Sequence, residues 1–288
     1  MGDNKVMKIT TLIENTEDEN RMLINEHGLS IFIESSNGNI LFDTGQSGDF
    51  IKNAEKLDID LRTVDALVLS HAHYDHCGGV KRLLETYNIK PQLIVGSSFF
   101  GHSQKYHYYP DKQENERYKY IGPDFDENYI RNKGLSIKFI KNRIVKINEQ
   151  VYVFTNFKRV HKFERDNAGM VRKTGSDEYI TDTFDDEISM GLKTDEGFVV
   201  LLGCAHPGFL NIIDSISEVS GQKIAGVIGG THLGKSDEQR INKSADYLTK
   251  LDIKMLGLSH CTGEKAAKVF NEKCRGTFTN RTGTFVEL

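Results

Sequence analysis

The chain has 288 residues, with 37 basic against 41 acidic side chains for a net charge of −4. A content of 38% hydrophobic and 27% charged residues excludes a disordered chain, and the mild acidity argues against a general nucleic-acid coat. The longest apolar stretch, Phe198 to Ala205, is far short of a membrane span. The N-terminus has no apolar leader core, and Val6 stands where a myristoylation signal needs Ser or Thr, so the expectation is a soluble, cytoplasmic protein.

Taken in order, Met7–Ile13 and Leu29–Glu34 read as strands, and Asn37-Gly38-Asn39 is a hairpin turn signal before a short strand at 40–42. Residues 49–57 read as a helix. Val64–Leu69 has the length and apolarity of a buried strand, and it stops at Ser70-His71. A helix at 79–87 and a strand at 92–95 follow. The rhythm of strand, polar loop and helix is α/β, with function at the loops leaving the strands. Residues 98 to about 185 break that rhythm. Strand-like pieces lie at 136–141 and 150–155, the stretch 131–146 carries six basic residues and no acid, and 177–187 is acidic. The expectation is one domain over 1–288, with an insertion at about 98–185 lying over the active site. Regularity returns with strands at 188–193 and 198–202, a helix at 210–219, a strand at 224–228, a helix at 236–251, a strand at 253–258 and a helix at 263–272. Thr284–Leu288 reads as an edge strand. The pattern recurs in both halves, which suggests two packed sheets with helices outside.

The strongest signal is Ser70-His71-Ala72-His73-Tyr74-Asp75-His76, directly after a buried strand. His71 and His73, two apart, project to one side of an extended chain. Asp75 and His76 reach a second position as the loop turns into a helix. Imidazole and carboxylate donors suit zinc, and also iron or manganese. Helix capping by Asp75 is the plain alternative, but a loop has no need of three histidines for capping. Single histidines then recur at one architectural position, the carboxyl end of a strand: Gly203-Cys204-Ala205-His206, Gly230-Thr231-His232 and Ser259-His260-Cys261. Cys77, Cys204 and Cys261 each lie near one of these histidines. The reading favours small buried thiols over ligands, and contact with the metal stays open.

At these residues the chain resembles the metallo-β-lactamase superfamily, through His-x-His-x-Asp-His, the later single histidines and Leu41-Phe42-Asp43-Thr44-Gly45. The resemblance covers about residues 7–285, apart from most of 98–185. It implies an αββα sandwich of two mixed sheets with outer helices. It implies a first metal site of His71, His73 and His206, a second of Asp75, His76 and His260, and Asp43 orienting a ligand from behind. The cofactor implied is one or two divalent ions, foremost zinc, with manganese or iron as alternatives. Gly-Cys-Ala-His-Pro-Gly, Gly-Gly-Thr-His-Leu and Ser-His-Cys-Thr-Gly are similar to a subfamily named for a dihydropterin-phosphate synthase.

The sequence departs from the superfamily pattern in one respect: no bridging Asp follows the strand at 224–228, where the chain reads Gly-Gly-Thr-His, and His232 stands there as ligand or acid/base. The expected activity is metal-assisted hydrolysis of an ester or phosphoester, with Asp75 or His232 moving the proton, or group transfer on a phosphorylated pterin-like substrate. Arg131, Lys138, Lys141 and Arg143, with Tyr106, Tyr108 and Tyr109, are candidates for recognising a phosphate and a ring, against the plainer reading of a solvated face. The partner expected is a small molecule rather than nucleic acid or membrane, in a monomer or homo-oligomer. The rival from another class is a non-catalytic metal-binding sensor or scaffold.

Overall fold

A computed structural model gives the fold for residues 6–164, 169–176 and 178–288. Residues 1–5, on which the reading of the N-terminus rests, and Asp177 of the acidic stretch lie outside these. In chain order the elements are β1 (Lys8–Ile13), β2 (Ser30–Glu34), β3 (Asn39–Phe42), α1 (Phe50–Lys56), β4 (Val64–Val68), α2 (Tyr74–Cys77), α3 (Val80–Tyr87) and β5 (Gln92–Gly96). Next come β6 (Lys105–Tyr108), β7 (Tyr118–Tyr120), α4 (Glu127–Asn132), β8 (Ile137–Ile140), β9 (Ile144–Lys146), β10 (Val151–Phe154), β11 (Met170–Lys173) and β12 (Tyr179–Thr181). The last are β13 (Ser189–Thr194), β14 (Gly197–Leu202), α5 (Phe209–Ser220), β15 (Ile224–Gly229), α6 (Glu238–Leu248), β16 (Met255–Leu258), α7 (Glu264–Lys273), β17 (Thr277–Thr279) and β18 (Phe285–Glu287).

Two seven-stranded mixed sheets result, ordered β18-β1-β2-β3-β4-β5-β8 and β17-β16-β15-β14-β13-β10-β9. Strand alternation divides each between two cores. Ile31, Ile33, Ile40 and Phe42 meet Val151, Met190, Val199 and Leu201 between the sheets. Their neighbours Phe32 and Leu41 turn outward onto α1 and α3, while Phe198, Val200 and Leu202 turn outward onto α5, α6 and α7. The layers are therefore helix, sheet, sheet, helix. No helix among the described residues is long and apolar enough to cross a membrane.

The stretch 98–185 does not stay together. β8 extends the first sheet beside β5, and β10 and β9 extend the second beside β13. Four more of its strands build a separate sheet, β12-β11-β6-β7. Sequence reading finds β8 and β10 by their apolar residues, but β6, β7, β11 and β12 are rich in Tyr and Lys and show no apolar face.

In each large sheet four consecutive strands, out to one edge, run parallel: β3, β4, β5 and β8 in one, β14, β15, β16 and β17 in the other. Loops leaving β3, β4, β14, β15 and β16 thus emerge at one rim. Asp43, Ala205, His232 and His260 in those loops have φ of 59°, 58°, 54° and 53°. Left-handed backbone at non-glycine residues costs free energy and persists where the surroundings over-determine it. It recurs at four of these strand ends, beside the residues that the sequence singles out.

Candidate metal centre

β4 hands the chain to Ser70-His71-Ala72-His73. His73 is still extended, at φ −110° and ψ 146°, so the imidazoles two apart share a side. The short α2 then lifts Asp75 and His76 to the neighbouring position. His206 arrives from the loop after β14. The ligand atoms of His71, His73 and His206 lie within 4.8 Å of one another. All three side chains are buried, and Nε2 of His71 and of His73 has no hydrogen-bond partner among the described residues. Burial, followed by neighbouring positive charge, holds all three well below the ordinary histidine pKa. They are neutral imidazoles with lone pairs available, the form a metal requires. Phe184 lies flat on His206 at 3.8 Å between ring centroids and edge-on to His73, covering this cluster with an apolar face.

The second cluster is Asp75, His76 and His260. Asp75 Oδ2 lies 3.3 Å from His260 Nε2 and 3.8 Å from His76 Nε2, and the two nitrogens are 3.2 Å apart. Asp43 Oδ1 accepts from Ser70 N–H and Oδ2 from Ser70 Oγ–H, each at 2.7 Å, and Oδ2 accepts from His76 Nδ1 at 2.7 Å. Asn15 Oδ1 accepts from Gly28 N–H, which fixes its amide, so it also accepts from His260 Nδ1 at 2.8 Å. With both Nδ1 atoms donating backwards, the two Nε2 atoms converge on one point, where only a proton or a metal cation relieves the opposition of their lone pairs. Burial lowers His76, but the Asp43 and Asp75 carboxylates outweigh it and hold the ring up to about 9. Burial raises Asp75, but His76 and hydrogen bonds from His260 and His27 outweigh it and hold the carboxyl well below its usual range.

Several participants carry no motif in the sequence. His27 Nε2 lies 3.2 Å from Asp75 Oδ2. Glu14 accepts from the His260 backbone N–H, and Glu187 from that of His206 at 3.0 Å. Lys105, fully buried, ion-pairs Asp182 at 2.6 Å and Asp186 at 2.8 Å. Asp186 in turn accepts from the Ala72 N–H at 2.9 Å, pinning the loop between His71 and His73. An acidic residue before a strand was the only sequence cue for Asp186 and Glu187. Cys204 Sγ lies 3.2 Å from His76 Nε2, and Cys261 Sγ accepts from the His232 N–H at 3.3 Å. Cys77 Sγ instead donates to the His73 carbonyl, inside the helix-facing core.

Both clusters open on a cavity of about 570 Å³ lined by His73, Asp75, Cys204, His206, His232 and His260 on one side. The facing wall is the small sheet, through His107, Tyr109, Lys119, Ile121 and Met170, with Lys235 at the rim. Alternation along β6 decides this: His107 and Tyr109 face inward, their rings stacked at 4.3 Å, while Tyr106 packs on Tyr120 and Tyr179 and Tyr108 on Tyr118. Of the residues read as substrate-binding, Tyr109 alone lines the cavity. Arg131 pairs with Glu127 along α4 at 2.6 Å, and Arg143 pairs with Glu218 at 3.2 Å. Lys138 sits on β8 opposite Ile94 of β5, and Lys141 follows that strand with its side chain exposed. None of these four lines the cavity.

Residues 24–149 match the family model of the metallo-beta-lactamase superfamily. The solved structure of Tm1679, a metal-dependent hydrolase of the beta-lactamase superfamily, is 30% identical with a TM-score of 0.83, covering 98% of this chain and 99% of that one. The chain belongs to the metallo-beta-lactamase superfamily. A 7,8-dihydropterin-6-methyl-4-(beta-D-ribofuranosyl)-aminobenzene-5'-phosphate synthase from Methanocaldococcus jannaschii is 28% identical over 280 residues, 94% of this chain and 93% of the relative. YhfI from Bacillus subtilis, at 12% identity and a TM-score of 0.57, shares the fold. The superfamily fold typically binds divalent metals, and the orphaned imidazole nitrogens with their carboxylate and thiol neighbours are a donor set that fits one. His232, in the loop after β15, lies beside the first cluster with its ring 4.3 Å from that of His206.

Proposed function

We propose that this protein is a metal-dependent hydrolase of a small anionic ester or phosphoester. The observation that carries the proposal is the convergence of two adjacent donor clusters on one cavity whose opposite wall is aromatic and cationic. His71, His73 and His206 would hold one ion and Asp75, His76 and His260 a second, zinc being favoured by the nitrogen-rich set with thiols beside it. A divalent metal supplies Lewis-acid polarisation and lowers the pKa of water from ~15.7 towards ~7.

The chain's own residues do the rest. Asp43 and Asn15 fix the ring orientation of His76 and His260. Phe184 keeps bulk water from the first cluster. His232 lines the cavity next to His206, with Nδ1 unpartnered among the described residues, so its imidazole is placed to carry a proton to the leaving group. Lys119 and Lys235 attract the anionic end of the substrate, and the His107–Tyr109 stack offers an apolar face to a ring. The small sheet formed by 105–120 and 170–181 acts as the cover of the site.

The name of the archaeal relative and the ring-sized aromatic face support a second reading: group transfer on a phosphorylated, pterin-like substrate at the same centre. Assay of purified protein on a chromogenic phosphodiester and on a phosphomonoester tests the first. Turnover abolished by chelator, restored by zinc or manganese and lost in His71→Ala supports it. Stoichiometric metal without turnover on any ester or phosphoester supports a sensor instead.

A further inference from the structure

We propose that the Cys204 thiol is a metal ligand shared between the two donor clusters, taking the place that a bridging carboxylate holds in most of the superfamily. The inference rests on the metal-centre reading above.

The geometry is specific to this thiol. Cys204 Sγ lies within 4.8 Å of ligand atoms in three separate donor groups: with His71 and His76, with His206 and His232, and with His260 and Cys261. It therefore reaches members of both the first cluster and the second. His76 Nε2, the atom left facing inward by the Asp43 contact, lies 3.2 Å from the sulfur. Cys204 is 3% exposed, and its loop is built tightly around it. A side chain on Gly203 would place its Cβ 2.2 Å from Ser70 Oγ, and one on Gly230 would place its Cβ 2.6 Å from Cys261 Sγ. Ala205 takes left-handed backbone at φ 58°, reversing the chain so that Cys204 and His206, two apart, both border the cavity.

Charge gives the second argument. Two divalent ions bring four positive charges, and the two clusters supply one carboxylate, Asp75. A thiolate between the ions adds a negative charge where the sequence lacks the bridging Asp. The other thiols are less well placed. Cys77 is turned into the core. Cys261 joins a single donor group, and its sulfur accepts from the His232 backbone. A shared thiolate also selects for softer, thiophilic ions such as zinc over manganese or magnesium.

The test is spectroscopic and needs no turnover. Metal-depleted wild type, C204S and C261S are loaded with cobalt(II), and bound metal and near-ultraviolet absorption are measured. Far-ultraviolet circular dichroism confirms that each variant is folded. The expected result is an intense thiolate-to-cobalt charge-transfer band in wild type and C261S, absent in C204S, with cobalt held at least tenfold less tightly by C204S. X-ray absorption of zinc-loaded wild type, which needs no variant, is expected to show sulfur at ~2.3 Å. A wild type that binds cobalt stoichiometrically without the band or the sulfur overturns this inference and leaves the metal centre standing. A band that survives in C204S and disappears in C261S overturns it in favour of the other thiol. A wild type that binds no cobalt overturns the metal-centre reading and this inference with it.

Discussion

The Asp43 carboxylate lies 2.7 Å from His76 Nδ1, with both side chains wholly buried. The same carboxylate takes two hydrogen bonds from Ser70, the residue that leads into His71. One side chain therefore sets the orientation of a ligand in the second cluster and the path of the backbone into the first. Asp43→Ala is expected to weaken metal binding by about 10–100-fold, the usual cost of removing such a support, and Asp43→Asn by less, since its amide oxygen still accepts. Competition against a chromophoric chelator reads both.

The raised pKa of His76 fixes the sign of a pH effect. In the metal-free protein the folded ring titrates at about 9, against 6.5 as its ordinary value. The charged ring thus stabilises the fold fully below pH ~6.5, and the contribution is lost as pH rises through ~9. The stability difference between metal-free wild type and His76→Gln is expected to shrink by up to about 3 kcal/mol across that window, measured by urea unfolding at several pH values. Because metal displaces the proton, affinity at the second cluster should rise over the same range.

Lys105 is the cation between Asp182 and Asp186, and its ammonium also lies 4.4 Å from the centre of the Phe184 ring. Lys105→Met leaves two buried carboxylates without their partner. Breaking a buried pair in this way costs about 3–5 kcal/mol, so a clear drop in the urea midpoint is expected. Metal affinity should fall as well, because Asp186 holds the Ala72 N–H.

Among the basic residues, position in the fold separates effects that charge alone does not. Lys119→Ala and Lys235→Ala are each expected to raise KM for an anionic substrate by up to about tenfold, as loss of a charge-assisted hydrogen bond implies, with kcat nearly unchanged and with weaker salt dependence. Arg131→Ala and Lys141→Ala should stay within about twofold, since neither lines the cavity. Steady-state kinetics at two ionic strengths distinguishes the two sets.

The large sheets were legible in the sequence because their signal is local. The apolar cores of Ser30–Glu34 and Val64–Val68 and the turn at Asn37-Gly38 need no knowledge of what packs on them. Short strands such as β7 and β12 have no apolar face and take their conformation from cross-strand neighbours, which no single segment reveals. The same holds for the substrate wall. Tyr106 and Tyr109 look alike in sequence, yet alternation along β6 and just past its end sends the first outward and the second to the cavity.

By itself the sequence determined the donors that cluster within one loop and the strand ends that carry single histidines, because a binding loop and its preceding strand are contiguous in the chain. Only the tertiary structure decided that Asn15, His27, Lys105 and Asp186 support the same group of histidines. Their roles depend on contacts such as Lys105 with Asp186 and Asn15 with His260, which span 81 and 245 residues. Such long-range contacts exist only once the chain has packed, so no local pattern of residues encodes them.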